Sequence, residues 1–239
     1  MRDAVTDLLL GGRCVGCGVA GRLLCLRCAA GLPTGAHPAW PEPTPAGLVP
    51  PWAAASYDGA ARAMVLGLKE RRLLGLGRPI AGLLAQAVAA AAPPGPVVLV
   101  PVPSRPASVR ARGHDPTYTV TAGAAVRLRR EGYDVRAARL LRTRPGLVDQ
   151  AGLDAAARAR NLAGSMTCPS GALHRLAAAV PRARFVICDD VLTTGATARE
   201  AQRALEAVGL QVSAVAAVAA TRRRHVEVGT SVPLMRDGK

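Results

Sequence analysis

Aromatic residues are scarce: one Phe, three Tyr and two Trp make up 3% of the 239 residues. The core must therefore be assembled from Ala, Val and Leu, and the sequence lacks the rings for a face on which unpaired bases stack, which disfavours an RRM-like nucleic-acid reader. Lysine is nearly absent, occurring only at Lys69 and Lys239, although Lys and Arg together number 31. No apolar run reaches the ~18 residues of a membrane span: Ile80 to Ala92 is interrupted by Gln86, and Val212 to Ala220 is short and carries Ser213. Asp3 and Asp7 flank the start, and only Leu8-Leu9-Leu10 precedes a Gly pair, so the charged and apolar regions of a secretory signal are missing. The expectation is a cytoplasmic protein with no membrane span.

What is present is apolar mass and positive charge. Half of the residues are hydrophobic, enough to bury a large core and rule out wholesale disorder. The 31 basic residues against 16 acidic ones leave a net charge of +15, which favours anionic partners: nucleic acid, phosphorylated metabolites or acidic lipid. The weight of Arg, Ala, Gly and Pro is also what a GC-rich coding sequence produces, so compositional bias stands beside that reading.

The Gly/Cys-rich stretch from Gly11 to Gly31 is too short to own a core and needs a staple. Prolines 33, 38, 41, 43, 45, 50 and 51 follow, a density expected to block helix and sheet and leave an extended linker. The division expected is therefore a knuckle with its linker over residues 1–45 and a main domain over 46–239. In the main domain, Trp52 to Tyr57 reads as a strand, and Gly59 to Lys69 and Pro79 to Ala91 read as helices. Val97 to Val100 is a buried strand, followed by a polar loop, a helix from Thr117 to Arg130 and a strand from Val135 to Leu141. The alternation recurs as strand Phe185 to Cys188, a polar loop, helix Ala196 to Val208 ended by Gly209, and strand Val212 to Ala220. The fold class is α/β with a mainly parallel sheet. A loose tail from Arg222 contains at most a short strand at Val226 to Val228.

Three constellations carry chemistry. Cys14-x-x-Cys17 and Cys25-x-x-Cys28 form two chelating pairs, and two such turns complete tetrahedral thiolate coordination of Zn²⁺. Four thiolates leave no open position, so a zinc there is structural; a redox CxxC or unrelated thiols are the alternatives. Cys168 and Cys188 lack such partners, and Cys188 reads as a small core residue. The second constellation is Asp189-Asp190-Val191-Leu192-Thr193-Thr194-Gly195-Ala196-Thr197. An apolar strand delivers two carboxylates, and a Thr/Gly loop then offers N–H groups and hydroxyls at a helix start. Together they suit the vicinal hydroxyls and phosphate of a ribose 5-phosphate, although a plain helix N-cap is the simpler alternative. The third is Pro101-Val102-Pro103-Ser104-Arg105 followed by Arg110, Arg112 and His114, donors that suit a diphosphate or form an ordinary solvated turn.

The Asp-Asp to Thr197 segment resembles the phosphoribosyl-pyrophosphate signature of type I phosphoribosyltransferases. Together with the four cysteines, Tyr57-x-Gly59 and Lys69, Arg112-Gly113, Gln150-Ala151-Gly152-Leu153, Arg158 and Asn161-Leu162, the order resembles the ComF/GntX family of competence-associated proteins from about Cys14 to Thr221. After its Arg-Gly pair that family usually has an aromatic residue, Asn and Gln, where this chain has His114-Asp115-Pro116.

The resemblance implies a type I phosphoribosyltransferase-like sheet with a zinc-ribbon-like knuckle, ligand phosphoribosyl pyrophosphate with Mg²⁺, and a setting in DNA uptake. It assigns the sugar and its phosphate to Asp189, Asp190, Thr193, Thr194, Gly195, Ala196 and Thr197, with the acid pair as the catalytic candidates. It assigns pyrophosphate to Ser104, Arg105, Arg110 and Arg112. Arg142 to Asn161 is the candidate lid, with Gln150, Arg158 and Asn161, or else an ordinary solvated helix and loop. The rival expectation is a non-catalytic protein on the same fold that binds single-stranded DNA or a recombination partner.

Overall fold

The computed structural model describes residues 12–144, 164–171, 173, 180 and 182–221. Within them the apolar runs become strands β2 (Pro51–Ser56), β3 (Val97–Pro101), β7 (Arg184–Leu192) and β8 (Val212–Ala220). The 3.6-residue patterns become α2 (Gly59–Glu70), α3 (Gly77–Ala91), α5 (Pro116–Arg130) and α6 (Ala196–Glu206). Shorter elements are α1 (Leu26–Ala30), α4 (Pro106–Arg112), β1 (His37–Pro38), β4 (Val135–Ala137), β5 (Arg142–Thr143) and β6 (Met166–Thr167). The main sheet has six strands in the order β1-β2-β8-β7-β3-β4, parallel throughout except for antiparallel β1. Strands β5 and β6 form a separate antiparallel pair. The α/β class with a mostly parallel sheet and flanking helices is thus present.

Side chains alternate across the sheet with period two. Ala54, Leu99, Val186, Cys188, Ala216 and Val218 face α2, α3 and α5. Ala53, Val98, Val100, Ile187, Val215 and Ala217 face α6, where Ala198, Ala201 and Leu205 meet them. A parallel sheet covered on both faces has no alternation of polar and apolar residues to show, which is why its strands read as unbroken apolar runs. One point on membrane spans needs correction. The stretch Leu74–Ala91 has 18 residues at a mean hydropathy of 1.3, long and apolar enough to cross a membrane by length and composition. Half of it is buried inside the protein, and Ile80, Leu83, Leu84 and Val88 belong to the core, so it is a core helix with its short 3₁₀ lead-in.

Four other expectations are revised. The presumed linker packs on the main domain: His37 and Pro38 pair with Ala53 and Trp52, Leu48 is buried, and Gln202 donates to Gly47 O while accepting from Val49 N. Proline density prevents a long strand there but permits this two-residue edge. The polar loop after β3 contains α4, because Pro106 sits at the first helical position, where its fixed φ is already helical and its missing N–H costs nothing. The strand expected to run to Leu141 ends at Ala137, and Leu140 and Leu141 turn into the core beside α6. Strand β7 continues beyond Cys188 to Leu192, so the acid pair lies within it. Its partner β8 is long enough to pair with Asp189, Val191 and Leu192. The segment 145–163 and the tail from 222, where the sequence allows at most a short strand at Val226 to Val228, lie outside the described residues.

Candidate functional site

Strands β3 and β7 are neighbours, yet the chain leaves them in opposite directions. From β3 it runs through α4 and α5 to β4, and from β7 through α6 to β8. Such a divergence opens a crevice at the carboxyl ends of the two strands, the usual ligand position in an open α/β sheet. Here β3 pairs with β7 only as far as Pro101 opposite Cys188, with Val102 N donating to Cys188 O at 2.9 Å. Beyond that point β7 carries Asp189 and Asp190 along an edge that β3 no longer covers.

A cleft of about 410 Å³ occupies this place. From the β7 side it is lined by Asp189, Asp190, Thr193 and Thr197, and from the β3 side by Ser104, Arg105 and Arg112. Two constellations more than seventy residues apart in sequence therefore share one cavity. Thr194, Gly195 and Ala196 form the turn beside it, where Thr194 Oγ1 accepts a long hydrogen bond from Ala196 N at 3.5 Å. Gly195 has φ +71°, and a Cβ on it would stand 2.9 Å from Pro41 Cγ, 3.2 Å from Leu48 Cδ2 and 3.3 Å from Pro45 Cδ. The proline-rich segment is thus the floor of the loop. Arg110 is exposed on α4 and does not line the cleft. Gln150, Arg158 and Asn161 lie outside the described residues.

The acid pair is asymmetric. Asp190 is buried and forms an ion pair with Lys69. Burial alone would raise its pKa, but the Lys69 ammonium and hydrogen bonds from neighbouring groups hold it below the ordinary carboxylate value. Asp189 accepts from Asp190 N at 2.8 Å, and burial, followed by the neighbouring Asp190 charge, drives its pKa well above the ordinary value. Ser104 spends its proton elsewhere: its Oγ donates to Asp115 Oδ1 at 2.9 Å, and that oxygen also accepts from Tyr118 N to cap α5. Arg139 lies 4.0 Å from Asp115 Oδ2 and stacks 3.6 Å from the Tyr118 ring centroid. Ser104 therefore faces the cleft with lone pairs free while its hydroxyl hydrogen is committed.

Sequence reasoning about the site missed Tyr57, Lys69, Ser108 and Thr117, all of which line the cleft. The signal for Lys69 was its rarity, one of two lysines among 31 basic residues. Tyr57 and Lys69 had served only as markers of resemblance.

The second site is the cysteine cluster. Cys14, Cys17, Cys25 and Cys28 bring their sulfurs within 4.8 Å of one another, with Cys17 and Cys25 at 3.6 Å. A tetrahedral site with Zn–S near 2.3 Å needs sulfur edges of about 3.8 Å, so the donor set fits a structural metal such as zinc. Backbone groups orient it: Cys25 N donates to Cys14 Sγ and Cys28 N to Cys25 Sγ, both at 3.4 Å. Burial raises the Cys14 thiol, but hydrogen bonds from the Cys25, Cys17 and Gly16 backbone bring it down to about 6. Hydrogen bonds with the other three cysteines push Cys28 up to about 12. Without a cation the four sulfurs cannot all ionise; a divalent ion removes that conflict. The knuckle sits on the main domain, with Val15 and Leu23 packed against its core.

No protein-family model matches the chain, and no curated protein matches it.

Proposed function

We propose that the protein is a phosphoribosyltransferase-like protein of the ComF/GntX kind that binds phosphoribosyl pyrophosphate in the cleft between β3 and β7. The observation that carries this reading is the convergence of the acid pair, the Thr193–Thr197 loop and the arginine-bearing β3 loop on one cavity at the point where the strand order reverses. Asp189 and Asp190 accept hydrogen bonds from the vicinal ribose hydroxyls. The loop from Thr193 to Thr197 holds the 5-phosphate at the start of α6, and Arg105 and Arg112 receive the diphosphate. Transfer breaks the bond between ribose C1 and the pyrophosphate oxygen, which leaves with the electron pair, and forms a bond from C1 to an acceptor nucleophile. Charge developing on the diphosphate is met by the two guanidinium groups that line the cleft. Zinc in the cysteine cluster is structural. The setting proposed is cytoplasmic and linked to DNA uptake.

The test is a thermal shift. Phosphoribosyl pyrophosphate should raise the melting temperature, because a ligand held only by the native state stabilises it by mass action. Asp189→Asn with Asp190→Asn should abolish the rise; a rise that survives would remove the acid pair from the ribose site.

A second reading, binding of single-stranded DNA without turnover, is favoured by one observation: Arg71, Arg72, Arg105 and Arg110 are all exposed on α2, α4 and the turns beside them. Arg105→Ala separates the two readings. It should weaken phosphoribosyl pyrophosphate at least tenfold, about 1.4 kcal/mol, while changing single-stranded DNA affinity far less. The reverse pattern, with a reduced salt slope for DNA, would give the second reading precedence.

A further inference from the structure

We propose that Lys69 is the built-in counter-cation of Asp190, so that the cleft receives the sugar diol on an acid pair whose buried carboxylate is already matched by the protein, and takes up no divalent ion between the two. The diol in this statement rests on the function proposed above; the charge compensation does not. Lys69 stands in the last turn of α2, where the helix dipole favours a cation, and its ammonium reaches Asp190 Oδ2 across the cleft wall. Only 10% of the Asp190 side chain is exposed, so its charge is largely removed from water and must be matched locally. Asp189 is also engaged, accepting from the Asp190 N–H at 2.8 Å.

A small divalent cation such as Mg²⁺ demands near-octahedral oxygen and usually one or two free carboxylates. Here one carboxylate already holds an ammonium and the other is turned onto the backbone. The residues therefore do not fit a Mg²⁺ site at the acid pair, and any Mg²⁺ entering the cleft does so as part of a diphosphate ligand. The position of Lys69 is also enforced. Behind it, Val15 of the knuckle packs 3.5 Å from the position of a Gly67 Cβ. Beyond it, Arg72 donates to Ala111 O and Arg112 lies 3.6 Å from Glu70, tying the end of α2 to α4. Lys69 is thus a positioning residue: it sets the charge and direction of Asp190.

The probe is Mn²⁺ alone, followed by electron paramagnetic resonance on the full-length zinc-loaded chain, since Mn²⁺ prefers oxygen ligands and leaves thiolates to zinc. The wild type should show no Mn²⁺ site that depends on Asp190. Lys69→Met should gain one, at least tenfold tighter than anything the wild type offers, and Lys69→Met with Asp190→Asn should lose it again. Lys69→Arg should behave like the wild type. If Lys69→Met does not give folded protein, Lys69→Gln takes its place. A wild-type Mn²⁺ site abolished by Asp190→Asn would overturn the proposal, as would a folded Lys69→Met or Lys69→Gln variant that gains none. None of these results involves the phosphoribosyl ligand, whose failure to bind would be seen separately as an absent thermal shift in the wild type.

Discussion

Gly195→Ala loads the contact between the anion loop and the proline-rich segment. The residue sits at φ +71°, where an L side chain costs about 1–2 kcal/mol. The added methyl also has nowhere to go: 2.9 Å from Pro41 Cγ is a distance real Cβ atoms do not show, and Leu48 and Pro45 close two further directions at 3.2 and 3.3 Å. Proline rings cannot rotate away, so the overpacking adds roughly 1–3 kcal/mol. The sum, about 2–5 kcal/mol, is a large part of the 5–15 kcal/mol that holds a typical domain together. Gly209→Ala supplies the control. That glycine lies in the turn after α6 at φ +79° with nothing within 4 Å of a new Cβ, so it bears the backbone strain alone. Urea unfolding of the two variants should place Gly195→Ala below Gly209→Ala by about 1–3 kcal/mol, with similar m-values. Phosphoribosyl pyrophosphate affinity should fall only in the first. Equal stabilities would refute the idea that the proline-rich segment presses on the loop.

The cysteine cluster should carry one zinc per chain in freshly purified protein, and Cys14→Ser with Cys25→Ser should lose it, as metal analysis reads directly; unchanged zinc in the double variant would remove these ligands from the site. Asp189→Asn should raise the melting temperature at pH 7. Because burial and the Asp190 charge raise the Asp189 pKa, the folded state binds a proton more tightly than the unfolded chain, and stability drains away as pH rises from the ordinary carboxylate value towards the raised one. Asparagine removes that loss, so the gain should be present at neutral pH and vanish near pH 3, below both values, where a persistent gain would point to a different cause. Glu200 gives the opposite sign. Burial raises its pKa, but hydrogen bonds from Arg203 and Met166 N hold it below the ordinary value, so Glu200→Gln should destabilise at pH 7, with the loss fading as acid protonates the wild-type carboxylate. A loss independent of pH would mean shape, not charge, anchors β6 to α6.

Much of this was legible in the sequence because the relevant signals are local. Val212 to Ala220 is a strand over the same nine residues that the apolar run marks, since Ser213 is its one polar residue and a turn through Gly209 separates it from the preceding helix. The two constellations around the cleft were found separately, as an acid pair before a Thr/Gly loop and as arginines after a buried strand. Their meeting in one cavity is a property of strand order, which no local pattern carries. Lys69 escaped for the same reason: its partner lies over a hundred residues away. Helix α4 was hidden by polar composition, because its residues are intermediate or exposed and it has no buried face to impose a period. Prolines suggested a free linker because they forbid long regular structure, but they do not forbid packing, and Pro41 is buried.

The placement of residues 37–50 also bears on how this chain can be divided. Composition puts a seam at residues 45 and 46, yet a cut there would remove Pro41 and Pro45 from beneath Gly195 and strip His37 and Pro38 from the edge of β2. The uncovered strand would offer unpaired N–H and C=O groups to any passing chain, the usual start of edge-to-edge aggregation. A fragment that keeps the five parallel strands and every cleft-lining side chain would still be a poor recombinant protein. Knuckle, proline-rich segment and sheet are therefore packed as one unit, and a cut at the compositional seam divides contacts rather than domains.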